Sequence, residues 1–419
     1  MTDYDKFLSP TGRQLQESAI RRMGTVVART TDLVSFAAGY PDPASFPWDE
    51  LRAIANELLS GTDGTVLQYG PTRGYRPLIE TILGVLEERN IHTTLEDVAI
   101  TSGSQQGLDL VARVLISPGD VVLVELPSYT GAISAFKNMQ AELVGVKQDE
   151  DGINLEDLDV VLQRERKAGK RVNLLYLVPN FQNPTGLLLS LEKRLTLLEW
   201  AERRDVLIVE DDPYGALYFD DVTSERDTRP IRADDRHGRV IYLSTFSKTL
   251  APGLRVGWMV APAALIERFD TAKQSVDLMS GSLDQRLVHE AVRRGVLPKL
   301  APGLRELYRR KRDVMEGALR RELGDRLTWP APKGGFFLWA TLPDGVDDNT
   351  LLARALEQRL VFVIGSAFYV NGTGHNRIRL SFSAPSAERI EEGVRRLAGV
   401  MGGPDKVRPT GRASLPVAT

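Results

Sequence analysis

An α/β fold is predicted, with a large domain on a mainly parallel seven-stranded sheet and a smaller α+β domain after it. Between residues 97 and 260, seven short apolar runs alternate with helical patterns. Several of the runs are rich in Val, Ile and Leu without clean polar alternation, as befits strands buried on both faces of a parallel sheet. After about residue 300 the rhythm changes to longer helical stretches broken by two strand-like runs. Strand–helix alternation followed by such a change argues for an α/β domain joined to an α+β one.

In chain order, residues 1–45 read as a helix and then an irregular segment, "SFAAGYPDPASFP", whose prolines favour extended chain. They form an N-terminal arm and a covering segment. The large domain spans 46–300, with strands at "VAIT" (98–101), "VVLVE" (121–125), "AELVGV" (141–146), "NLLYLV" (173–178), "VLIVED" (206–211), "VIYLS" (240–244) and "RVGWMV" (255–260). Turn signals such as Ser117-Pro118-Gly119-Asp120 separate them. In "SLEKRLTLLEWAERR", Leu191, Leu195 and Leu198 recur at helical spacing. The small domain, 301–403, holds strands in "GGFFLWATL" (334–342) and "RIRLSFS" (377–383), a helix near "NTLLARALEQRL", and a final helix striped by Ile390, Val394, Leu397 and Met401. Residues 404–419 lack apolar periodicity and are expected to be a disordered tail.

Composition narrows the function classes. With 42% hydrophobic and 26% charged residues, the chain is an ordinary globular one. A net charge of -3 gives no basic surplus for a nucleic-acid or membrane partner. The run Arg309-Arg310-Lys311-Arg312 lies in a helix-like stretch beside acids and reads as a solvated face. Cysteine is absent, which excludes disulfides, thiolate nucleophiles and cysteine-ligated zinc. His92, His237, His289 and His375 have no second histidine at i+3 or i+4, so no metal site is expected. The start lacks signal-peptide character, and no apolar run nears the roughly 18 residues of a membrane span. A cytoplasmic protein is expected.

The sharpest chemical segment is "STFSKTLAPGLRVGW" (244–258). Hydroxyls at Ser244, Thr245 and Ser247 crowd Lys248, and Arg255 follows seven residues later. Hydroxyls and a guanidinium are the donors a phosphate dianion wants. A lysine beside that phosphate can form a Schiff base with an aldehyde cofactor. Asp211 closes the strand "VLIVED", at the end where α/β sheets place ligands. A carboxylate there can cap a helix, or keep a pyridine nitrogen protonated by raising its pKa. Asn183-Pro184-Thr185-Gly186 is by itself a turn signal. Ser102-Gly103-Ser104 leads from a strand into a helix, whose free N–H groups attract anions. Tyr129 lies just past the strand "VVLVE" and suits a core or a functional role equally. Arg379 sits inside an apolar strand, costly to bury unless paired, and Arg377 shares its face.

Taken together, these segments resemble fold-type I pyridoxal 5′-phosphate (PLP) enzymes of the class I/II aminotransferase family. The match is best to the branch of 2-aminoadipate, aromatic and branched-chain aminotransferases. The lysine segment fits S/T-x-S-K-x₆-R, and the matches run in family order over residues 15–402. The resemblance implies that Lys248 carries PLP and then serves as general acid/base for a 1,3-proton shift. It implies that Asp211 contacts the pyridinium nitrogen, Asp212 being the competing acid, while Tyr214 and Asn183 bond the phenolic oxygen. Ser104, Gln105, Thr245, Ser247 and Arg255 would hold the phosphate, and Tyr129 would stack on the ring. Arg379 would grip the substrate α-carboxylate, with Asn183 beside it. Gly39, in "FAAGYPDP", would close over that carboxylate, although an alanine stands where relatives carry a second glycine. Arg21, with Arg22 competing, would select the substrate side chain. Tyr69 resembles the tyrosine that reaches the neighbouring subunit's phosphate, which implies a homodimer with shared active sites.

The implied activity is transfer of an amino group from an L-amino acid to a 2-oxo acid, 2-oxoglutarate being the expected acceptor. A PLP lyase or decarboxylase on the same scaffold is the alternative, because fold does not fix reaction type. The effector domain of a MocR-type regulator is a further one. Only about twenty residues precede the first matched segment, too few for a winged-helix domain.

Overall fold

The computed structural model describes residues 2–15, 31–219, 222–223 and 226–402. The expected tail at 404–419, and Arg21 with Arg22, lie outside the described residues.

The first strand, β1 (Val34–Ser35), precedes the large sheet. That sheet is built from β2 (Val98–Thr101), β3 (Val121–Leu126), β4 (Glu142–Asp149), β5 (Gly152–Ile153), β6 (Val172–Leu177), β7 (Leu207–Asp211), β8 (Val240–Thr245) and β9 (Gly257–Val260). Their order is β2-β9-β8-β7-β6-β3-β4-β5. β4, β3, β6, β7 and β8 pair in parallel, and β9 runs antiparallel to both β2 and β8. The central strands are buried on both faces because helices cover the sheet, which is why their sequences do not alternate. The expected seven strands are joined by an eighth. β5 pairs antiparallel with the end of β4, Gln148 opposite Ile153 and Asp149 opposite Gly152. Its two residues follow an acidic turn and carry no apolar run, so nothing in the pattern marked it.

The helices that shape the site are α1 (Ser104–Leu115), α2 (Thr130–Asn138), α3 (Leu191–Arg204), α4 (Ala263–Val276), α5 (Ser282–Arg293), α6 (Val296–Leu323) and α7 (Ala387–Met401). In α3 the buried face differs from the leucine stripe: Leu195 is exposed, while Arg194, Leu197, Trp200 and Ala201 are buried. The reason is the Arg194 guanidinium. It donates to the carbonyls of Pro179, Leu189 and Arg229 and to Asn180 Oδ1, so a buried charge is fully hydrogen-bonded and ties down the loop after β6.

Toward the C-terminus, β10 (Phe337–Thr341), β11 (Leu360–Val361), β12 (Val363–Ile364) and β13 (Arg377–Ser381) follow. β10, β13 and β12 form an antiparallel sheet in that order, and β11 pairs in parallel with β1. Val34 and Phe36 share one core with Ile378, Leu380 and, from α7, Ile390, Val394 and Leu397. The N-terminal segment is thereby pinned to the C-terminal sheet, and Gly39 and Tyr40 come to face the large sheet. No helix among the described residues is long and apolar enough to cross a membrane.

Gly257 shows how closely sheet and site are packed. A Cβ there would stand 2.8 Å from the Ser244 carbonyl oxygen and 2.9 Å from the Gly103 backbone. Backbone cannot yield as a side-chain tip can, so Gly257→Ala is expected to destabilise the protein by about 1–3 kcal/mol. A denaturant titration that leaves the unfolding midpoint of this variant unmoved would contradict the packing.

Candidate active site

A cavity of about 560 Å³ opens at the carboxyl ends of the parallel strands, where open α/β sheets bind ligands. Its other walls are Gly39 and Tyr40 from the covering segment and Phe337 and Arg379 from the small sheet. Lys248, Asp211, Asn183, Tyr214, Ser104, Gln105, Tyr129, Thr245, Ser247 and Arg255 all line it.

Lys248 follows β8 by three residues. Strand alternation sends the hydroxyls of Ser244 and Thr245 to opposite faces. Ser244 Oγ donates to the Asp212 carbonyl at 2.8 Å and does not crowd the lysine. Thr245 Oγ1 and Ser247 Oγ lie 2.8 Å apart on the cavity side. Lys248 Nζ donates to the Gly39 carbonyl at 3.1 Å. Burial lowers its pKa to about 8; the charges of Arg379 and Arg255 push the same way, and Asp211 opposes them.

The two neighbouring aspartates have separate surroundings. Asp212 accepts from Arg89 Nη2 (3.1 Å), Asn180 Nδ2 (2.9 Å), Gly215 N (3.0 Å) and Tyr242 Oη (3.1 Å), so its acceptor capacity is used within the protein. Among the described residues, Asp211 accepts only from Tyr176 Oη at 3.1 Å, and its Oδ1 is buried without a partner. Burial pushes the Asp211 carboxyl up to about 7, against the lowering effect of Tyr176. Asp211, rather than Asp212, is the acid that faces the cavity. Tyr176 escaped the sequence reading because a tyrosine within an apolar strand looks like core.

The turn after β2 reaches the cavity at the start of α1. Gly103 has φ +77, and a Cβ there would stand 2.5 Å from Arg255 Nη2. Arg255, itself at φ +52, donates that nitrogen to the Ser102 carbonyl at 3.0 Å. Gln105 Nε2 donates to the Gly131 carbonyl at 3.0 Å, and Tyr129 Oη to Gln105 Oε1 at 3.4 Å. Behind the turn stands a network that the sequence did not announce. Gln106 Oε1 accepts from Ser102 N (2.8 Å) and from Lys273 Nζ (2.7 Å), and Asp277 Oδ2 accepts from Ser102 Oγ (3.0 Å). Lys273 and Asp277 read in the sequence as an ordinary i,i+4 helix pair; only the packing of α4 on α1 places them here.

Arg379 is 1% exposed and has no carboxylate partner among the described residues. Nη1 donates to Asn183 Oδ1 at 2.7 Å, Nη2 to the Ala37 carbonyl, and the guanidinium lies 4.2 Å from the Phe337 ring centroid. Burial lowers its pKa to about 10. Arg377, two residues away, is half-buried and lines a different cavity with Trp339 and Tyr369. Asn183 Nδ2 makes no hydrogen bond to any described residue, so the amide keeps a free donor. Tyr214 is buried, which raises its pKa and keeps its hydroxyl protonated. Tyr69 stands apart from this cavity and is 78% exposed.

Three cations, Lys248, Arg255 and Arg379, thus share the cavity with one carboxylate. That excess suits an anionic cofactor and an anionic substrate. The unpartnered Asp211 oxygen calls for a cationic N–H, and the start of α1 calls for an anion. A phosphorylated pyridine aldehyde offers both, beside an amine that burial has made easier to deprotonate. The residues present fit pyridoxal phosphate.

Comparison with known proteins agrees. Residues 31–397 match the family model for aminotransferase class I and II. Aromatic-amino-acid aminotransferase 1 of Thermococcus litoralis is 41% identical over 397 residues, 94% of each chain. A kynurenine aminotransferase of Pyrococcus horikoshii, solved with PMP, superposes with a TM-score of 0.90 at 39% identity, over 95% of this chain and 98% of that one. An alpha-aminoadipate aminotransferase of Thermus thermophilus, solved with N-(5′-phosphopyridoxyl)-L-leucine, gives 0.86 at 38% identity, over 96% and 98%.

The electrostatics fix a pH dependence. In the cofactor-free protein, the Lys248 amine is expected to lose its proton near pH 8. Its trapping by an aldehyde and borohydride, followed by peptide mass, should quicken about tenfold per pH unit below that point and level off above it. Arg379→Gln removes a repelling cation, so the inflection should move up. An inflection at lysine's ordinary value of about 10.4 would contradict the site.

Proposed function

This chain belongs to the class I and II aminotransferase family, PLP enzymes that move amino groups between amino acids and 2-oxo acids, and from that premise we propose which of its residues do the work. The carrying observation is the orphaned Asp211 oxygen in one cavity with Lys248 and Arg379. When bound, pyridoxal phosphate supplies a protonated pyridine ring that accepts the electron pair released at the substrate Cα.

Lys248 would hold the cofactor covalently, and its free Nζ would take the proton from the substrate Cα. Its depressed pKa suits that task, since a catalytic base works best near the ambient pH. Asp211 keeps the ring nitrogen protonated, and an approaching cation returns its carboxyl to the ionised form. Asn183 Nδ2 and the Tyr214 hydroxyl donate to the phenolic oxygen. Ser104, Gln105, Thr245, Ser247 and Arg255 hold the phosphate, and Tyr129 covers the ring. Arg379 receives the substrate carboxylate bidentately while Asn183 and the Ala37 carbonyl hold its guanidinium. Gly39 lies in the segment that closes over the substrate, and Arg21, or Arg22 in its place, selects among side chains. The donors are aromatic amino acids or 2-aminoadipate, as the relatives' names suggest, and the acceptor is 2-oxoglutarate. Tyr69 completes the phosphate site of a second copy, so the working form is a homodimer. Its exposure, with that of Leu67 and Leu278, supports that reading. The large unit is residues 46–300 and the small one 301–403.

A panel of amino donors with 2-oxoglutarate should yield glutamate in step with the donor's 2-oxo acid. Release of ammonia or carbon dioxide without glutamate would replace transamination with lyase or decarboxylase chemistry. Lys248→Ala should lose the visible absorbance of the bound cofactor and about 10²–10⁴-fold in turnover, the usual worth of a general acid/base. Light scattering should return twice the 46.4 kDa chain mass, and a monomer with full activity would remove Tyr69 from the site.

A further inference from the structure

Behind the strand end that carries Asp211 lies another cavity, of about 630 Å³, that the proposed reaction does not use. One wall is the sheet face bearing Tyr242, Ser244 and Trp258. The opposite wall comes from the start of α6, with Leu297, Leu304 and Arg305. The size lies within the usual range for small-molecule sites, and the walls are mostly apolar with a few convergent polar groups.

Those polar groups are unequally satisfied. Asp212 has its four donors, and Arg89 is spent on Asp212 and on Thr228, whose carbonyl and hydroxyl it reaches at 2.5 and 3.0 Å. Arg293, at the rim, is paired with Glu290. Trp258 is 5% exposed, and its indole Nε1 is buried with no hydrogen-bond partner among the described residues. Arg305 has no carboxylate partner among the described residues. Its Nε donates to the Ala216 carbonyl at 3.0 Å, and its guanidinium lies 3.8 Å from the Tyr218 ring centroid. Burial lowers its pKa, the charge of and hydrogen bond to Tyr218 oppose that shift, and the nearby Arg89 charge adds to it. The chamber is therefore apolar in its body, and of the cations that line it Arg305 alone has no carboxylate partner among the described residues.

We propose that this cavity binds a small amphipathic monocarboxylate, its carboxylate on Arg305 and its apolar body against Trp258, Leu297 and Leu304. The ligand is distinct from the substrate, because Lys248 and Arg379 line only the reaction cavity, although Pro213 and Thr245 line both. Octanoate has the stated chemistry and carries neither an amino nor an oxo group to react.

The test is titration of the holoenzyme with octanoate, followed by tryptophan fluorescence, in which Trp258 is the reporter. A saturable change is expected. It should vanish in Trp258→Phe, need about tenfold more octanoate in Arg305→Gln, and persist in Arg379→Lys. Arg305→Gln should keep its transaminase turnover in the absence of octanoate, which separates this site from the reaction. No saturable change in the wild-type protein would overturn the proposal. So would a change that Arg379→Lys removes and Arg305→Gln leaves intact, because octanoate would then be occupying the substrate site.

Discussion

Asp211 is a carboxylate buried at the end of a central strand with one oxygen left open, and much of the site follows from that constraint. An uncompensated buried carboxylate is costly, and here the cost appears as a carboxyl held up to about 7. The arrangement makes sense only if a cation arrives. β7 cannot turn Asp211 elsewhere, because β6 and β8 pair with it on both sides and fix which face each residue takes. The rigid sheet thus holds an electrostatic demand for a cationic N–H. The same rigidity sends Asp212 into a saturated cluster with Arg89 and Tyr242.

The loops around Asp211 are held by charges that never reach the cavity. Arg194 ties together the ends of the loop that carries Asn183, through Pro179, Asn180 and Leu189. Glu125 accepts from Val178 N and from Gln148 Nε2, joining the end of β3 to that of β6, and burial raises its pKa to about 7. Lys273 and Asp277 do the same for the turn at Ser102. Each tie is a buried or half-buried charge with several partners, the condition under which such charges stiffen a structure. Loops so held can present Asn183 and Ser104 in one geometry, as preorganised catalysis needs.

Much of this was legible in the sequence. The seven strand runs were marked by Val, Ile and Leu, which burial on both sheet faces requires. Lys248 was marked by the hydroxyls and the arginine around it, Asp211 and Arg379 by standing at the end of or inside apolar runs, and Asn183, a turn residue by itself, by the family resemblance. What escaped has physical causes too. β5 is too short to carry a pattern. Leu195 of α3 lies outside because Arg194 is satisfied inside, and helical spacing cannot know that four loop acceptors wait for a guanidinium. Tyr176, Gln106, Lys273 and Asp277 resemble everyday core and surface residues until the chain folds.

The sequence alone determined which segments become strands, where the lysine and its hydroxyls lie, and the family to which they point, because local periodicity and contiguous motifs are written along one dimension. The resemblance favoured Asp211 over Asp212 and Arg379 over Arg377, and tertiary structure supplied the reason: Asp211 and Arg379 line the cavity, while Asp212 is saturated inside the protein and Arg377 lines another cavity. Tertiary structure alone decided that Ser244 turns away from Lys248, and that the Gly39 segment, more than two hundred residues distant, sits against the lysine amine. Those outcomes depend on what packs on each face of a strand. That is a property of contacts between distant parts of the chain, and no spacing along it records them.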